Sequence, residues 1–181
     1  MNNNEIIADS SFYICFLDDI DDPSFLQLLF SNHFKFLTTK MLSNEVSKSK
    51  KFSQIKKNAI TLMDFSYDIS EILRPFFGKN EILKGEHEVI AFAYMYYQIK
   101  KDFSIILDEI GPRRFVERNF TYLVKLMIGT LGFLGKCHCD YHLLSKDKTM
   151  NLIEAIKKSK FRVTDNIINS VKQQVMNCQN G

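Results

Sequence analysis

Two hydrophobic periods alternate along the chain: short continuous apolar runs that suit buried strands, and 3.6-residue patterns that suit amphipathic helices. Glu5–Asp9 (EIIAD) is an apolar run ending in an acid, and it predicts a strand with Asp9 at its C-terminal end. Ser10 and Ser11 can cap the helix that follows, whose Phe12, Cys15 and Phe16 share a face. The run Asp18-Asp19-Ile20-Asp21-Asp22-Pro23 breaks that helix, and Pro23 suits the first turn of a second helix through Asn32. Lys35–Leu37 predicts a second strand, and a helix near Leu42–Ser49 carries Glu45. Residues 50–84 read as one or two helices and a loop around Gly78.

Gly85–Lys101 has a strong helical pattern with Val89, Ala93 and Tyr96 on one side. Ser104–Leu107 (SIIL) predicts a strand ending in Asp108-Glu109, and Pro112 can start a helix that includes Arg113 and Arg114. Tyr122–Met127 reads as another strand. Gly129-Thr130-Leu131-Gly132 leads into a helix, with two more near Lys146–Ser159 and Asp165–Val175. Strands alternating with helices predict an α/β fold, three-layered α/β/α around a central, mostly parallel sheet. No repeat or linker interrupts residues 1–181, so one domain is expected.

The acids carry the chemistry. Asp9 and Asp108-Glu109 each follow an apolar strand run directly, and ligand sites of open parallel sheets lie beyond the carboxyl ends of strands. Glu45 follows the second strand, and Glu86 and Glu88 open a helix, where acids are also expected on helix-dipole grounds alone. Any one of these acids reads most simply as a cap or a solvated residue; their joint placement points further. Several carboxylates in one cleft repel one another unless a hard cation joins them, and oxygen-only ligation suits Mg²⁺ or Mn²⁺. Such ions can activate water for attack on a phosphodiester.

Composition changes the picture little. A net charge of +3 and a pI near 8.6 permit a polyanionic partner without demanding one. Cys15, Cys137, Cys139 and Cys178 are too few for a disulfide scaffold, and they suggest reduced thiols in a cytoplasmic protein. No signal peptide is visible at the N-terminus, and the apolar runs fall short of the ~20 residues of a membrane span.

Other clusters are read conservatively. Cys137-His138-Cys139-Asp140-Tyr141-His142 holds zinc-type ligands, but six consecutive residues on a helix cannot aim all of them at one ion. Lys48, Lys50, Lys51, Lys56 and Lys57 form either a track for RNA phosphates or a solvated face. Arg113 and Arg114 are either a phosphate clamp or surface residues paired with nearby acids. Thr130 lies in a Gly-flanked turn after a strand, where a simple turn role suits it better than facing the cleft. Tyr94, Tyr96 and Tyr97 suit core or a dimer interface better than base stacking, and Asp18–Asp22 suits a solvated turn. A phosphatase or nucleotide-binding protein lacks its Gly-rich phosphate loop here.

The series Ile7-Ala8-Asp9-Ser10-Ser11, Glu45-Val46, Gly85-Glu86-His87-Glu88-Val89-Ile90-Ala91 and Ile106-Leu107-Asp108-Glu109 resembles the PIN-domain family. It is most similar to a prokaryotic branch with a GExEAIxxA helix and a DDxxAR segment. Gly129-Thr130-Leu131-Gly132-Phe133-Leu134 resembles that branch's GTxGxL turn, and Lys160-Phe161-Arg162-Val163-Thr164 its GFRIS segment. The resemblance spans roughly residues 5–175. It implies a dimeric, Mg²⁺- or Mn²⁺-dependent ribonuclease, a class that includes toxins paired with an antitoxin. Carried over, Asp9 is the first metal-binding acid, Glu45 the second, Glu88 the third, and Asp108 or Glu109 the fourth. Glu86, Arg113 and Thr130 stand beside them. The acid pair is Asp-Glu where the family pattern has Asp-Asp, and this departure sets a non-cutting RNA- or protein-binding module of the same fold beside the nuclease.

Overall fold

The computed structural model of the protein describes residues 4–32, 34–55, 60–65, 69–76, 85–100 and 102–178. Strands β1 (Asn4–Ala8), β2 (Phe34–Thr39), β3 (Ile60–Met63), β4 (Ser104–Ile106) and β5 (Met127–Ile128) form one all-parallel sheet in the order β3-β2-β1-β4-β5. Helices α1 (Ser10–Ile14), α2 (Ser24–Ser31), α3 (Lys40–Val46), α4 (Gly85–Ile99), α5 (Ile110–Asn119), α6 (Thr130–Cys139), α7 (Lys146–Lys158) and α8 (Asp165–Asn177) surround it. The expected α/β architecture with helices flanking a parallel sheet is therefore present.

Alternation along the strands builds two cores. Ile6, Ala8, Phe36 and Ile106 face one side, packed by Phe12, Phe16, Phe25, Phe133 and residues of α7 and α8. Ile7, Leu37, Ile105 and Leu107 face the other, packed by Val89, Phe92 and Ala93 of α4 and by Val116 and Phe120. A parallel sheet buried on both faces needs such near-continuous apolar strands.

The topology positions the site. From β1 the chain steps outward to β2 and β3, then crosses back through α4 to β4 and outward again to β5. The direction reverses between β1 and β4, and a crevice opens at such a switch point, beyond the carboxyl ends of the strands. The Asp9 N–H donates to the Ile106 carbonyl at 3.0 Å, so the ladder holds the two strand ends together where Asp9 and Asp108 emerge.

Three expectations are corrected. Among the described residues of 50–84 there is strand β3, with 3₁₀ segments at Phe52–Gln54 and Ile69–Phe76 rather than α-helices. Ile60-Thr61-Leu62-Met63 is an edge strand whose Leu62 is half exposed, so burial leaves a weak strand signal, and Pro75 prevents a regular helix later in the segment. Gly78 lies outside the described residues. The expected strand over Tyr122–Met127 is a 3₁₀ turn, Thr121–Leu126, and only Met127–Ile128 is paired. Phe120, Leu123 and Leu126 recur every three residues against the second core, which is the 3₁₀ period rather than the strand period.

The third correction concerns thiols. Cys139, the last residue of α6, is bonded to Cys178, just after α8, with Cα atoms 5.7 Å apart. Cys15 and Cys137 are free and buried. The two helices meet closely at Gly135, where a Cβ would lie 3.2 Å from side-chain atoms of Val171 and Gln174. Cys139 and Cys178 are 39 positions apart and leave no local trace of this pairing, and the cysteine count no longer argues for a reducing compartment. No helix among the described residues is long and apolar enough to cross a membrane.

Candidate active site

A cleft of about 690 Å³ opens at the switch point. Six carboxylates line it, from Asp9, Asp19, Glu45, Glu86, Asp108 and Glu109, together with the cations Lys160 and Arg162. Of the expected acids, the structure brings Asp9, Glu45, Glu86, Asp108 and Glu109 to one cleft, and not Glu88.

Asp9 ends β1 and caps α1. One carboxylate oxygen accepts the Ser10 N–H and the other the Ser11 hydroxyl, each at 2.8 Å. The side chain is short and the residue only 3% exposed, so it has almost no freedom to move. Burial pushes its pKa above the ordinary value; the two serine bonds oppose this, and the charges of Glu86 and Glu45 add to it.

Asp108 follows β4 in the same way. Its oxygens accept the Thr130 N–H at 2.8 Å and the Thr130 hydroxyl at 2.6 Å, at the positive N-terminus of α6. Gly129 permits this approach, since a Cβ there would lie 3.1 Å from an Asp108 oxygen. Burial again raises the pKa, opposed by both Thr130 bonds and the Arg113 charge. Thr130 is thus a buried clamp on Asp108. Arg113 does not line the cleft: its guanidinium donates to the Leu107 carbonyl at 2.7 Å and fixes the start of the acid pair from below. Arg114 is exposed and outside the cleft.

The third acid differs from expectation. Glu86 lines the cleft, whereas Glu88 is buried beside it and accepts a hydrogen bond from the Thr39 hydroxyl at the end of β2. Residues two apart on a helix point about 200° apart, so one helix cannot deliver both to the same cleft. Asp19 was read as part of a solvated turn. It reaches the cleft because α1 runs on into a π-helical turn, Cys15–Asp19. Burial and then Asp18 raise its pKa, and Lys160 opposes them. The rest of that acidic run behaves as expected: Asp18 accepts from Ser49, Asp21 pairs with Lys51, and Asp22 accepts the Ser24 N–H. Lys160 and Arg162 were not anticipated as cleft residues; two cations flanking an aromatic between helices was the available signal. Lys50 and Lys51 lie outside the cleft, and Lys56 and Lys57 lie outside the described residues.

The zinc-type cluster is otherwise engaged. Cys137 is buried in the core, His138 Nδ1 meets the Leu144 carbonyl at 2.8 Å, and Cys139 is in the disulfide.

An all-carboxylate donor set fits a hard divalent ion, and each Asp9 and Asp108 oxygen keeps a second lone pair beyond its hydrogen bond. Among the described residues, no three acids, histidines or cysteines are already gathered at ligation distance. A hard ion held by Asp9 and Asp108 would need further oxygen ligands, which Glu45, Glu86 and Glu109 on the same cleft could supply.

The raised Asp9 pKa has a consequence for stability. Its folded-state value lies above the ordinary 3.8, so the folded protein binds this proton more tightly than the unfolded chain does. Stability from this group is full at low pH and is lost as pH rises through the folded pKa. Asn stays neutral throughout. In EDTA, the melting temperature of Asp9→Asn relative to the parent should climb as pH goes from below the ordinary carboxylate range to neutrality. A pH-independent difference contradicts a raised pKa.

No protein-family model matches the chain, and neither a curated protein nor a solved structure was found to be similar to it.

Proposed function

We propose that the protein is a metal-dependent endoribonuclease of the PIN type. The observation that carries this reading is the convergence of six carboxylates, brought by the end of β1, the turn after α1, α3, α4 and the β4–α5 connection, on the switch-point cleft between β1 and β4. Asp9 and Asp108 are the fixed ligands for Mg²⁺ or Mn²⁺, with Glu45, Glu86 and Glu109 completing the set; Glu88 supports the wall through Thr39. A divalent ion bound there lowers the pKa of water and offsets charge on the phosphodiester. Serine and threonine hydrogen bonds orient Asp9 and Asp108 and favour their charged form against the effect of burial, and a neighbouring Glu carboxylate would accept the proton of the attacking water. In-line attack of that water would break the P–O3′ bond, leaving a 5′-phosphate and a 3′-hydroxyl whose oxygen takes its proton from solvent. RNA as substrate would place the protein in the cytoplasm, and the likeness to toxin nucleases adds a homodimer and an antitoxin partner to the proposal.

A second reading is a module that holds RNA or a protein without cutting. The Asp-Glu pair and the absence of a preassembled three-ligand group among the described residues favour it. Incubating purified protein with total RNA in Mn²⁺, in Mg²⁺ and in EDTA separates the two. The nuclease reading expects discrete cleavage with either ion and none in EDTA; RNA retained but intact in both ions supports the module.

A further inference from the structure

The loop between α7 and α8 places Lys160, Phe161 and Arg162 together on the cleft wall facing the acids. The loop is anchored on both sides. Lys157 pairs with Asp165 across it at 3.3 Å, the Ser159 hydroxyl accepts the Phe161 N–H at 3.0 Å, and Phe161 and Val163 pack on the core. Alternation then leaves Lys160 and Arg162 exposed. Neither has an ion-pair partner among the described residues, although carboxylates line the same cleft. Arg113 is committed to the Leu107 carbonyl and Lys51 to Asp21, and Lys50 and Arg114 lie outside the cleft.

A cleft dominated by carboxylates repels a polyanion, so the two cations on its wall decide where phosphates can sit. We propose that Lys160, Phe161 and Arg162 form the substrate-holding arm of the cleft. The cations grip backbone phosphates, Arg162 as a planar fork and Lys160 as a point charge, and the Phe161 ring carries an unpaired base. Alternating basic and aromatic groups match a single strand, which offers a phosphate and a free base face at each step. The cleft volume, within the roughly 300–1,000 Å³ of small-ligand sites, suits a short unpaired segment rather than a duplex. The proposal rests on the polynucleotide reading above for what enters the cleft.

The test is fluorescence anisotropy of a labelled oligouridylate across a salt series, in Mg²⁺, with all variants built on Asp9→Asn so that no cleavage intervenes. Lys160→Ala combined with Arg162→Ala should weaken binding and flatten the slope of log affinity against log salt by about 1.4, the release from two phosphate contacts on a single strand. Phe161→Leu, which keeps most of the packing, should weaken binding roughly 5- to 150-fold with the slope unchanged. Parental affinity in either variant, with its melting temperature unchanged, overturns the proposal, as does an oligouridylate that does not bind the starting protein. If these losses appear but the native chain cuts no RNA, the nuclease reading fails and the arm stands. If the native chain cuts and the variants bind normally, the reverse holds.

Discussion

Replacing Asp9 by Asn is expected to abolish RNA cleavage while leaving RNA affinity intact or slightly higher. Asp9 is short, nearly fully buried and tied to Ser10 and Ser11, so no neighbouring acid can take its place. Asn keeps the size and an acceptor for the Ser10 N–H but loses the charge that holds a divalent ion. Metal catalysis supplies several kcal/mol of transition-state stabilisation, and losing ~4 kcal/mol lowers kcat about a thousandfold. Affinity moves the other way because one fewer negative charge opposes the phosphates. Single-turnover cleavage and anisotropy on the same preparation separate the two effects. Cleavage at the parental rate in pure Asp9→Asn removes Asp9 from the chemistry.

Phe12→Ala is expected to give a large loss of stability. Phe12 is fully buried on α1, stacks on Phe36 with centroids 5.8 Å apart, and meets Tyr13, Phe16 and Phe133 edge-on. Truncating such a ring removes its transfer energy and leaves a cavity among rigid aromatics, at a cost of about 3–5 kcal/mol. For a domain of this size that lowers Tm by roughly 6–20 °C. The effect reaches the site, because the helix that Phe12 anchors carries the two serines holding Asp9. A melt in EDTA gives the stability change. A drop of less than about 3 °C would mean that the aromatic cluster repacks freely and does not fix α1.

Both aspartates of the site were legible in the sequence because an acid directly after a buried strand run must emerge at the carboxyl edge of the sheet. Their adjacency was not legible, since strand order depends on crossovers that leave no local mark. The choice between Glu86 and Glu88 shows a different limit. A family motif favoured Glu88, while helix phase sends it toward Thr39 and Glu86 into the cleft. Asp19 was hidden by a π-helical turn that shifts the face of α1, and β3 by its exposed edge. Cys139 and Cys178 meet only because α6 and α8 pack side by side. Lys160 and Arg162 sit in the loop between α7 and α8, where the alternation is too brief to mark an element and the cleft it borders depends on how the helices pack.

A divalent-ion site built from the switch-point carboxylates is read out by a Mn²⁺ titration followed by thermal melting. Clustered carboxylates destabilise one another until a cation joins them. At a concentration about 100 times its Kd, Mn²⁺ should stabilise the parent by roughly 2.7 kcal/mol, which is a rise of about 5–11 °C, and should leave Asp9→Asn nearly unmoved. An equal rise in both proteins, or none in the parent, would contradict a metal site built on Asp9.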